Sequence, residues 1–318
     1  MIGNRKNRIL KPFNLLRLLG IILFFYILSR VDLTEISHVL SKINISWFVL
    51  AILFQLILLF SKAVRWHVMN DGRSGWRHRL KSWGQFFESY AVGIATPGRL
   101  GEMIKAGHEE GKSGKATAIL KMISERGFDV GIFLFFAALA LVAGSFIEIE
   151  SYWGYVLILI SLSLISVAFI LLTSGKSLLF LEKILARFQM FKQGFSFHHR
   201  RYSVKEILII FLLSLAGALS HFISCYFLAQ SVNLDIGLLA VAGGMAIAGM
   251  FNLLPVTIMG LGTRELTFLT LYAGYDHSNV MAFSFTILLV AQMGGGLVSL
   301  AIGHMLLYAD KRNSRRST

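Results

Sequence analysis

The organisation of this chain is decided by residues 86–102, whose sequence is FFESYAVGIATPGRLGE. A short apolar segment, Phe86 to Ala95, stops at Thr96-Pro97-Gly98, and a polar string follows. Phe86 to Gly98 is thirteen residues, which as a helix reaches only about 20 Å, against a hydrocarbon core of roughly 30 Å. The pattern therefore predicts a re-entrant half-helix with an irregular tip. Such backbone persists at membrane depth only when it is buried in protein or lines a wet cavity, so we expect function here.

The composition is that of a polytopic helical membrane protein. Hydrophobic residues make up 55% of the 318 positions and charged residues only 15%, and several apolar runs approach the length of a membrane span. The single Cys225 cannot form an intramolecular disulfide, so no oxidising compartment is implied. The net charge of +14 is explained by the excess of Lys and Arg in cytoplasmic loops, and we expect no nucleic-acid partner.

The apolar runs predict an all-α integral membrane protein with six full spans and two re-entrant broken hairpins. The hairpins are predicted over residues 84–126 and 236–275, and Trp66–Trp83, which is basic and has no apolar run, is predicted as a loop. The six spans cover about Phe13–Leu28, Trp47–Val64, Val130–Ile147, Tyr152–Thr173, Ile207–Ala229 and Val280–Tyr308.

Positive charge predicts the orientation of these spans. With the N-terminus inside and both hairpins folding back, only Arg30 and Lys42 of the 31 Lys and Arg residues fall in outer loops, and Arg264 lies in the second hairpin. If the first hairpin crossed instead, the basic loop Lys176–Lys205 would face outside. We therefore predict a multi-pass protein of the cell membrane with cytoplasmic termini, including a basic tail at residues 311–318.

A single membrane domain made of two inverted units is predicted. Residues 1–150 and 151–310 share the order span, span, broken hairpin, span, but begin on opposite sides of the membrane. Such inverted-topology repeats are typical of secondary transporters, which bind their substrates where the repeats meet. The tips also correspond, since Pro97 precedes Leu100-Gly101-Glu102 and Pro255 precedes Leu261-Gly262 and Arg264-Glu265.

The first candidate binding site is the tip formed by Pro97, Gly98, Arg99, Gly101 and Glu102. Proline stops a helix, and glycine allows positive φ and close backbone approach. Free N–H groups at a helix end attract anions, and Arg99 can pair with a phosphate. The structural alternative is that Arg99 and Glu102 only neutralise each other. We favour the functional interpretation because charges inside a membrane are costly.

A second cluster, Glu125, Arg126 and Asp129, opens the third span. Residues 126 and 129 share a helix face, so we expect Arg126 and Asp129 to pair. The cluster either gates transport and couples it to protons or simply caps the helix, because carboxylates in a first turn are favoured by the helix dipole. The spacing does not decide between these roles.

The second tip offers the same chemistry from the outer side. Its candidate binding residues are Asn252, Pro255, Gly260, Gly262, Arg264 and Glu265. The sequence contains no metal-ligand cluster, no nucleophile–base pair and no nucleotide-binding loop after a strand. We therefore expect no catalytic residue, no metal and no cofactor.

In order and spacing, these motifs resemble the transmembrane region of the lysylphosphatidylglycerol synthase/flippase family. The matching pieces are PGRLGE at 97–102, Glu125-Arg126 with Asp129, NLLP at 252–255 and GLGTRE at 260–265, which together cover nearly the whole chain. The resemblance implies an eight-segment membrane fold. Ile94-Ala95-Thr96, where the family often has Asn, and Lys105, where it usually has Arg, depart from the pattern.

The best-known members of that family carry a cytosolic aminoacyl-transferase domain after the membrane part. This chain ends at Thr318, shortly after the last span, so the resemblance implies a stand-alone member with the flippase half and without the synthase half.

We accordingly predict a lipid flippase that moves a phosphate-bearing or anionic lipid between leaflets by alternating access, with membrane lipids as its partners. Arg99 and Arg264 would receive the head group in turn from the inner and the outer hairpin. An ion or small-solute transporter on the same plan remains open, as does, less favoured, a membrane enzyme acting on lipid phosphate. The sequence also leaves open whether the chain forms a homo-oligomer.

Overall fold

The structure, a computed structural model, describes residues 22, 24–27, 29, 32–70, 75–108, 111–146, 152–173, 202–253 and 259–315. Within these ranges the chain is helical and contains no β-strand, which agrees with the predicted all-α class. Most of the predicted first span, most of the basic loop Lys176–Lys205 and Pro255 lie outside the described residues, as do the side chains of residues 311–318.

Most of the described residues lie in helices. A 3₁₀ helix, Pro97–Met103, precedes α4, and a π-helical stretch, Leu288–Gly294, joins α10 to α11. In chain order the α-helices are α1 (Leu33–Ser41), α2 (Ile45–Met69), α3 (Trp76–Ile94), α4 (Ile104–Gly107), α5 (Gly111–Val142), α6 (Tyr152–Thr173), α7 (Val204–Ser231), α8 (Leu238–Leu253), α9 (Thr263–Leu271), α10 (His277–Ile287) and α11 (Gly295–Arg315).

Polar caps fix where several of these helices begin. The Asn44 side chain accepts hydrogen bonds from two backbone N–H groups in the first turn of α2, and Asp276 accepts one, from Asn279, in the first turn of α10. Ser203 and Glu206 form a capping box at the start of α7, in which each side chain accepts from the other residue's backbone N–H. These caps satisfy N–H groups that have no partner inside the helix.

Among the described residues, four helical segments are long and apolar enough to cross a membrane. They are Ile45–Met69, Tyr152–Thr173, Val204–Ser231 and His277–Asp310, the last of which runs from α10 through the π-helical stretch into α11. The full plan of six spans with two re-entrant hairpins stays a prediction.

The helix that leads to the first tip begins earlier than predicted. α3 begins at Trp76, inside the predicted basic loop, and its 19 residues extend about 28 Å. This helix is amphipathic, since Arg79 and Lys81 are exposed while Phe86 and Phe87 are buried. Its charged residues leave no long apolar run, so hydropathy did not predict its first half. Residues 111–126, also assigned to the hairpin, belong to α5.

The helices α2 and α7 run antiparallel, which defines two ends of the bundle. At one end the Tyr202 hydroxyl donates to the Met69 carbonyl at 2.6 Å. At the other end the Asn44 N–H donates to the Ser231 carbonyl at 2.9 Å.

The two segments that carry the tips enter from opposite ends and turn back on themselves. The Asn70 side chain donates to Gln85 in the middle of α3 at 3.4 Å, and His108, after the turn, lies 3.0 Å from Glu88 of the same helix. α8 and α9 form the second segment, in which the Tyr272 hydroxyl donates to the Ala240 carbonyl at 3.0 Å. The inverted repeat itself stays a prediction.

Candidate functional site

The backbone of the first tip is irregular. α3 ends at Ile94, and Gly98 and Arg99 have left-handed φ angles of 60° and 55°. Glycine adopts this region freely, whereas a residue with a side chain is held there at a cost of about 1–3 kcal/mol, a kind of strain that concentrates at functional sites. Pro97 opens the 3₁₀ helix, and its side chain lies outside the described part.

Gly101 closes the first tip and has no room for a side chain. Its N–H donates to Thr96 Oγ1 at 2.7 Å, and a Cβ on it would lie 2.6 Å from the Val92 carbonyl oxygen. We expect Gly101→Ala to cost about 1–3 kcal/mol of stability, because overpacking forces the backbone apart. Thermal unfolding of the purified protein measures this.

The control for this substitution is Gly107→Ala, since a Cβ on Gly107 would meet no atom within 4 Å. We expect this variant to unfold at the wild-type temperature or slightly above it, because alanine favours helix. Equal unfolding temperatures for the two variants would show that the close approach at Gly101 does not hold the tip together.

The second tip is also irregular, and a buried ion pair organises it. Met259, Gly260 and Gly262 have φ angles of 57°, 74° and 83°. The Glu265 carboxylate accepts the Gly262 N–H at 2.6 Å and Arg264 Nη2 at 2.6 Å. Arg264 and Glu265 are only 2% and 1% exposed, so this tip is held from inside the protein.

Ser284 of α10 completes this second ion pair. Arg264 Nε donates to the Ser284 hydroxyl at 2.8 Å, and that hydroxyl donates to Glu265 at 2.7 Å. Asn252 lies in the last turn of α8; its side chain, like the whole of Pro255, lies outside the described residues.

The charges near the first tip converge on Arg65, a fully buried residue of α2 that the sequence analysis did not select. Arg65 donates to Glu125 and to Asp129, each at 2.5 Å, and to the Ser214 hydroxyl of α7 at 2.7 Å. One guanidinium thus ties α2, α5 and α7 together with charge-assisted hydrogen bonds, which are stronger than neutral ones.

Two lysines that were not predicted as site residues complete this cluster. Lys62 Nζ lies 3.0 Å from Asp129, and Lys105 Nζ lies 3.0 Å from Glu125. Lys105 is buried over the Trp66 ring, 4.5 Å from its centroid. Lys62 and Arg65 lie three residues apart on an otherwise apolar span, and that spacing was the feature that could have revealed them.

Arg126 does not pair with Asp129 as predicted. Its Nη2 lies 2.5 Å from Glu102 Oε1, whereas Asp129 is held by Lys62 and Arg65. Local spacing could not show this, because both sets of partners come from other segments of the chain.

Arg99 makes one long ion pair and contacts Tyr90. Its Nη1 lies 3.6 Å from Glu102, and its guanidinium carbon lies 5.6 Å from the centroid of the Tyr90 ring. Because Glu102 already receives Arg126 at a shorter distance, mutual neutralisation does not account for Arg99.

The two tips meet at a cavity of about 100 Å³. Arg99 of the first tip and Arg264 of the second both line it, with Lys62, Arg126 and Asp129 along its wall. A smaller space of about 20 Å³ between the tips is lined by Gly98, Gly260 and Gln292, among others. A buried water needs only about 10–15 Å³ measured in this way, so the larger space accommodates a small polar group and several waters.

The charged side chains of the cavity and its supporting ion pairs carry two more positive charges than negative ones. The cations are Lys62, Arg65, Arg99, Lys105, Arg126 and Arg264, and the carboxylates are Glu102, Glu125, Asp129 and Glu265. Such a surplus in a poorly hydrated space favours an anion. In the part of the chain that is described, no group of three or more His, Cys, Asp or Glu side chains is placed to hold a metal ion.

The fold and site together define a multi-pass helical membrane protein whose two broken segments meet at a cationic cavity. Residues 14–298 match the family model described as the lysylphosphatidylglycerol synthase TM region, and the chain belongs to that family. The family predicted from the tip motifs is thereby confirmed. Comparison with curated proteins gives no match.

Proposed function

We propose that the protein moves an anionic or phosphate-bearing lipid between the leaflets of the cell membrane by alternating access, with both termini in the cytoplasm. The observation that carries this proposal is that Arg99 and Arg264, which come from opposite tips, line one cavity. Two arginines at one site are suited to a phosphate group, since the planar guanidinium can bind two of its oxygens.

A lipid is favoured over a soluble anion for two reasons. The family description names the synthase of a lipid, and that association comes to this chain as part of the proposal. The cavity, at about 100 Å³, accommodates a head group but not acyl chains, so a lipid would place its head group between the tips and keep its tails in the bilayer.

The ion pairs supply a gate in this scheme. Glu125 and Asp129 each hold two cations, drawn from Arg65, Lys105 and Lys62, so we assign this cluster to holding the first tip closed rather than to carrying protons. Arg99, whose ion pair with Glu102 is long, exchanges Glu102 for the head group. Left-handed glycines at both tips supply backbone freedom for opening on alternate sides.

The test is lipid movement in vesicles that contain the purified protein. Trace lipids with a fluorophore on the acyl chain and either an anionic or a zwitterionic head group are exposed to a membrane-impermeant quencher. We expect the protein to expose inner-leaflet anionic lipid to quenching much faster than empty vesicles do, and to leave the zwitterionic lipid behind.

Three outcomes would contradict lipid transport. Equal rates with and without protein, under an imposed ion gradient as well as without one, would exclude movement of the lipids tested. Uptake of labelled phosphate without lipid movement would instead support the small-solute transporter. Release of inorganic phosphate from a lipid phosphate would identify an enzyme.

A further inference from the structure

Two buried side chains in the cavity wall carry polar atoms that have no partner among the described residues. Gln55 of α2 is 3% exposed, and neither its Nε2 nor its Oε1 has a hydrogen bond. Arg264 is 2% exposed, and its Nη1 has none. Both side chains line the cavity between the tips. Buried polar groups are nearly always hydrogen-bonded, so unpaired ones at a cavity point to something that enters it.

The orientation of Arg264 is set by other contacts. Its Nε donates to Ser284 at 2.8 Å and its Nη2 to Glu265 at 2.6 Å. These two bonds fix the plane of the guanidinium and leave Nη1 as the donor still available. An arginine held in this way loses little conformational freedom when it binds a ligand.

The helix that carries another residue of the cavity wall is irregular at this point. Gln292, which lines the cavity, lies in the π-helical stretch Leu288–Gly294. Short π-helical segments are found frequently at functional sites. The stretch directly precedes Gly295, where a Cβ would lie 3.4 Å from Gln55 Nε2, so the glycine leaves room beside the free amide.

The net charge of the cavity indicates which class of ligand it binds. The cavity and its ion pairs carry two surplus positive charges, counted over the described residues. A phosphomonoester carries about −1.5 to −2 at neutral pH and presents three terminal oxygens. A phosphodiester carries a single negative charge and has only two non-bridging oxygens. The monoester therefore matches both the surplus charge and the number of free donors better.

We infer that Gln55, Arg99 and Arg264 form a subsite for the terminal phosphate of a phosphomonoester lipid. This inference rests on the proposed function and specifies its substrate class. Arg264 Nη1, Arg99 and Gln55 Nε2 each donate to a phosphate oxygen. In the dianion the three terminal oxygens accept these three bonds, and Gln55 Oε1 accepts from a water in the cavity.

The test is calorimetric binding to the purified full chain in detergent. The probes are dihexanoyl phosphatidic acid as the monoester, dihexanoyl phosphatidylglycerol as the diester, and sodium phosphate. We expect the monoester to bind about tenfold or more tightly than the diester, because a further charged hydrogen bond forms. Gln55→Leu should weaken monoester binding about tenfold, and Arg264→Gln should weaken it further.

If Arg264→Gln folds poorly, the Gln55→Leu variant still tests the subsite. Gln55 has no hydrogen-bond partner to lose in the described structure, so the leucine variant should melt like wild type. Ser299→Ala is the control, because the Ser299 hydroxyl is likewise buried without a described partner but does not line the cavity. We expect this variant to bind the monoester with wild-type affinity.

Equal affinity for monoester and diester, or unchanged monoester affinity in Gln55→Leu, would overturn the subsite. Sodium phosphate binding as tightly as the lipid would overturn the assignment to a lipid. Tight, Gln55-dependent monoester binding by a protein that moves no lipid in vesicles would keep the subsite and overturn the transport function. Lipid movement by a protein that binds monoester and diester equally would keep the transport function and overturn the subsite.

Discussion

Replacing Arg65 by methionine is expected to cost the protein about 3–5 kcal/mol of stability, the usual cost of removing one partner from a buried ion pair. Arg65 is completely buried and donates to Glu125, Asp129 and Ser214. Methionine fills most of the volume but offers no donor. Each carboxylate then keeps a single lysine, and Glu125, Asp129 and the Ser214 hydroxyl lose their charged hydrogen bonds in a poorly hydrated interior.

The measurement is thermal unfolding in detergent, where we expect a fall in Tm of roughly 10 °C. Arg79→Met is the matched control, since Arg79 is exposed on α3 and surface changes usually stay within about 0.5 kcal/mol. Identical melting of Arg65→Met and Arg79→Met would show that the cluster does not stabilise the fold.

The second large effect concerns transport. Arg99→Gln and Arg264→Gln are each expected to slow movement of an anionic lipid about tenfold or more, because a charged hydrogen bond to a ligand contributes about 1.5–3 kcal/mol. Arg99→Gln is the cleaner of the two variants. Arg99 Nη1 lies 3.6 Å from Glu102, and Glu102 keeps Arg126 at 2.5 Å, so the fold loses little.

Rates of acyl-labelled lipid movement, measured beside a melting curve for each variant, test this expectation. Arg99→Lys should recover only part of the rate, because an ammonium lacks the planar fork of the guanidinium. Arg79→Gln serves as a control for charge alone and should transport like wild type. Normal movement by a well-folded Arg99→Gln protein would leave Arg99 as a structural charge and contradict its assignment to the head group.

The ion pairs connect the first tip to the helices that surround it. Glu102 lies on the 3₁₀ helix of the tip and pairs with Arg126 of α5, while Lys105 of α4 pairs with Glu125 of α5. Burying such pairs seldom adds stability compared with apolar packing, and they are better understood as selecting one arrangement over another. Opening of the first tip would require these partners to separate, which gives the proposed transport cycle a defined closed state.

The two tips reach similar conformations by different means. Thr96 Oγ1 accepts the Gly101 N–H in the first, whereas Glu265 accepts the Gly262 N–H in the second. Both place an arginine at the cavity next to backbone with positive φ. The first tip is held by pairs from several helices, whereas the second is held mainly by its own residues and Ser284. The inverted repeat stays a prediction.

The first hairpin shows where hydropathy alone misleads. Its tip, Pro97 to Glu102, was located correctly, because proline and glycine mark irregular backbone wherever they occur. The helix leading to it was placed too late, because Arg79 and Lys81 interrupt the apolar run without interrupting the helix. A charge on the exposed face of an amphipathic helix costs little free energy. Hydropathy averaged over consecutive residues does not distinguish the exposed face from the buried one, so the helix is not recognised.

The sequence by itself determined the all-helical membrane class, the family, the positions of both tips and the arginine at each. These depend on residues close together in the chain, namely apolar runs, Pro-Gly breaks and short motifs. Only the tertiary structure decided that Arg65 is the centre of the charge cluster, that Arg126 binds Glu102, and that Gln55 shares a cavity with Arg264. Arg65 and Glu125 are 60 positions apart, and a contact over that distance is fixed by how helices pack, which local spacing does not contain.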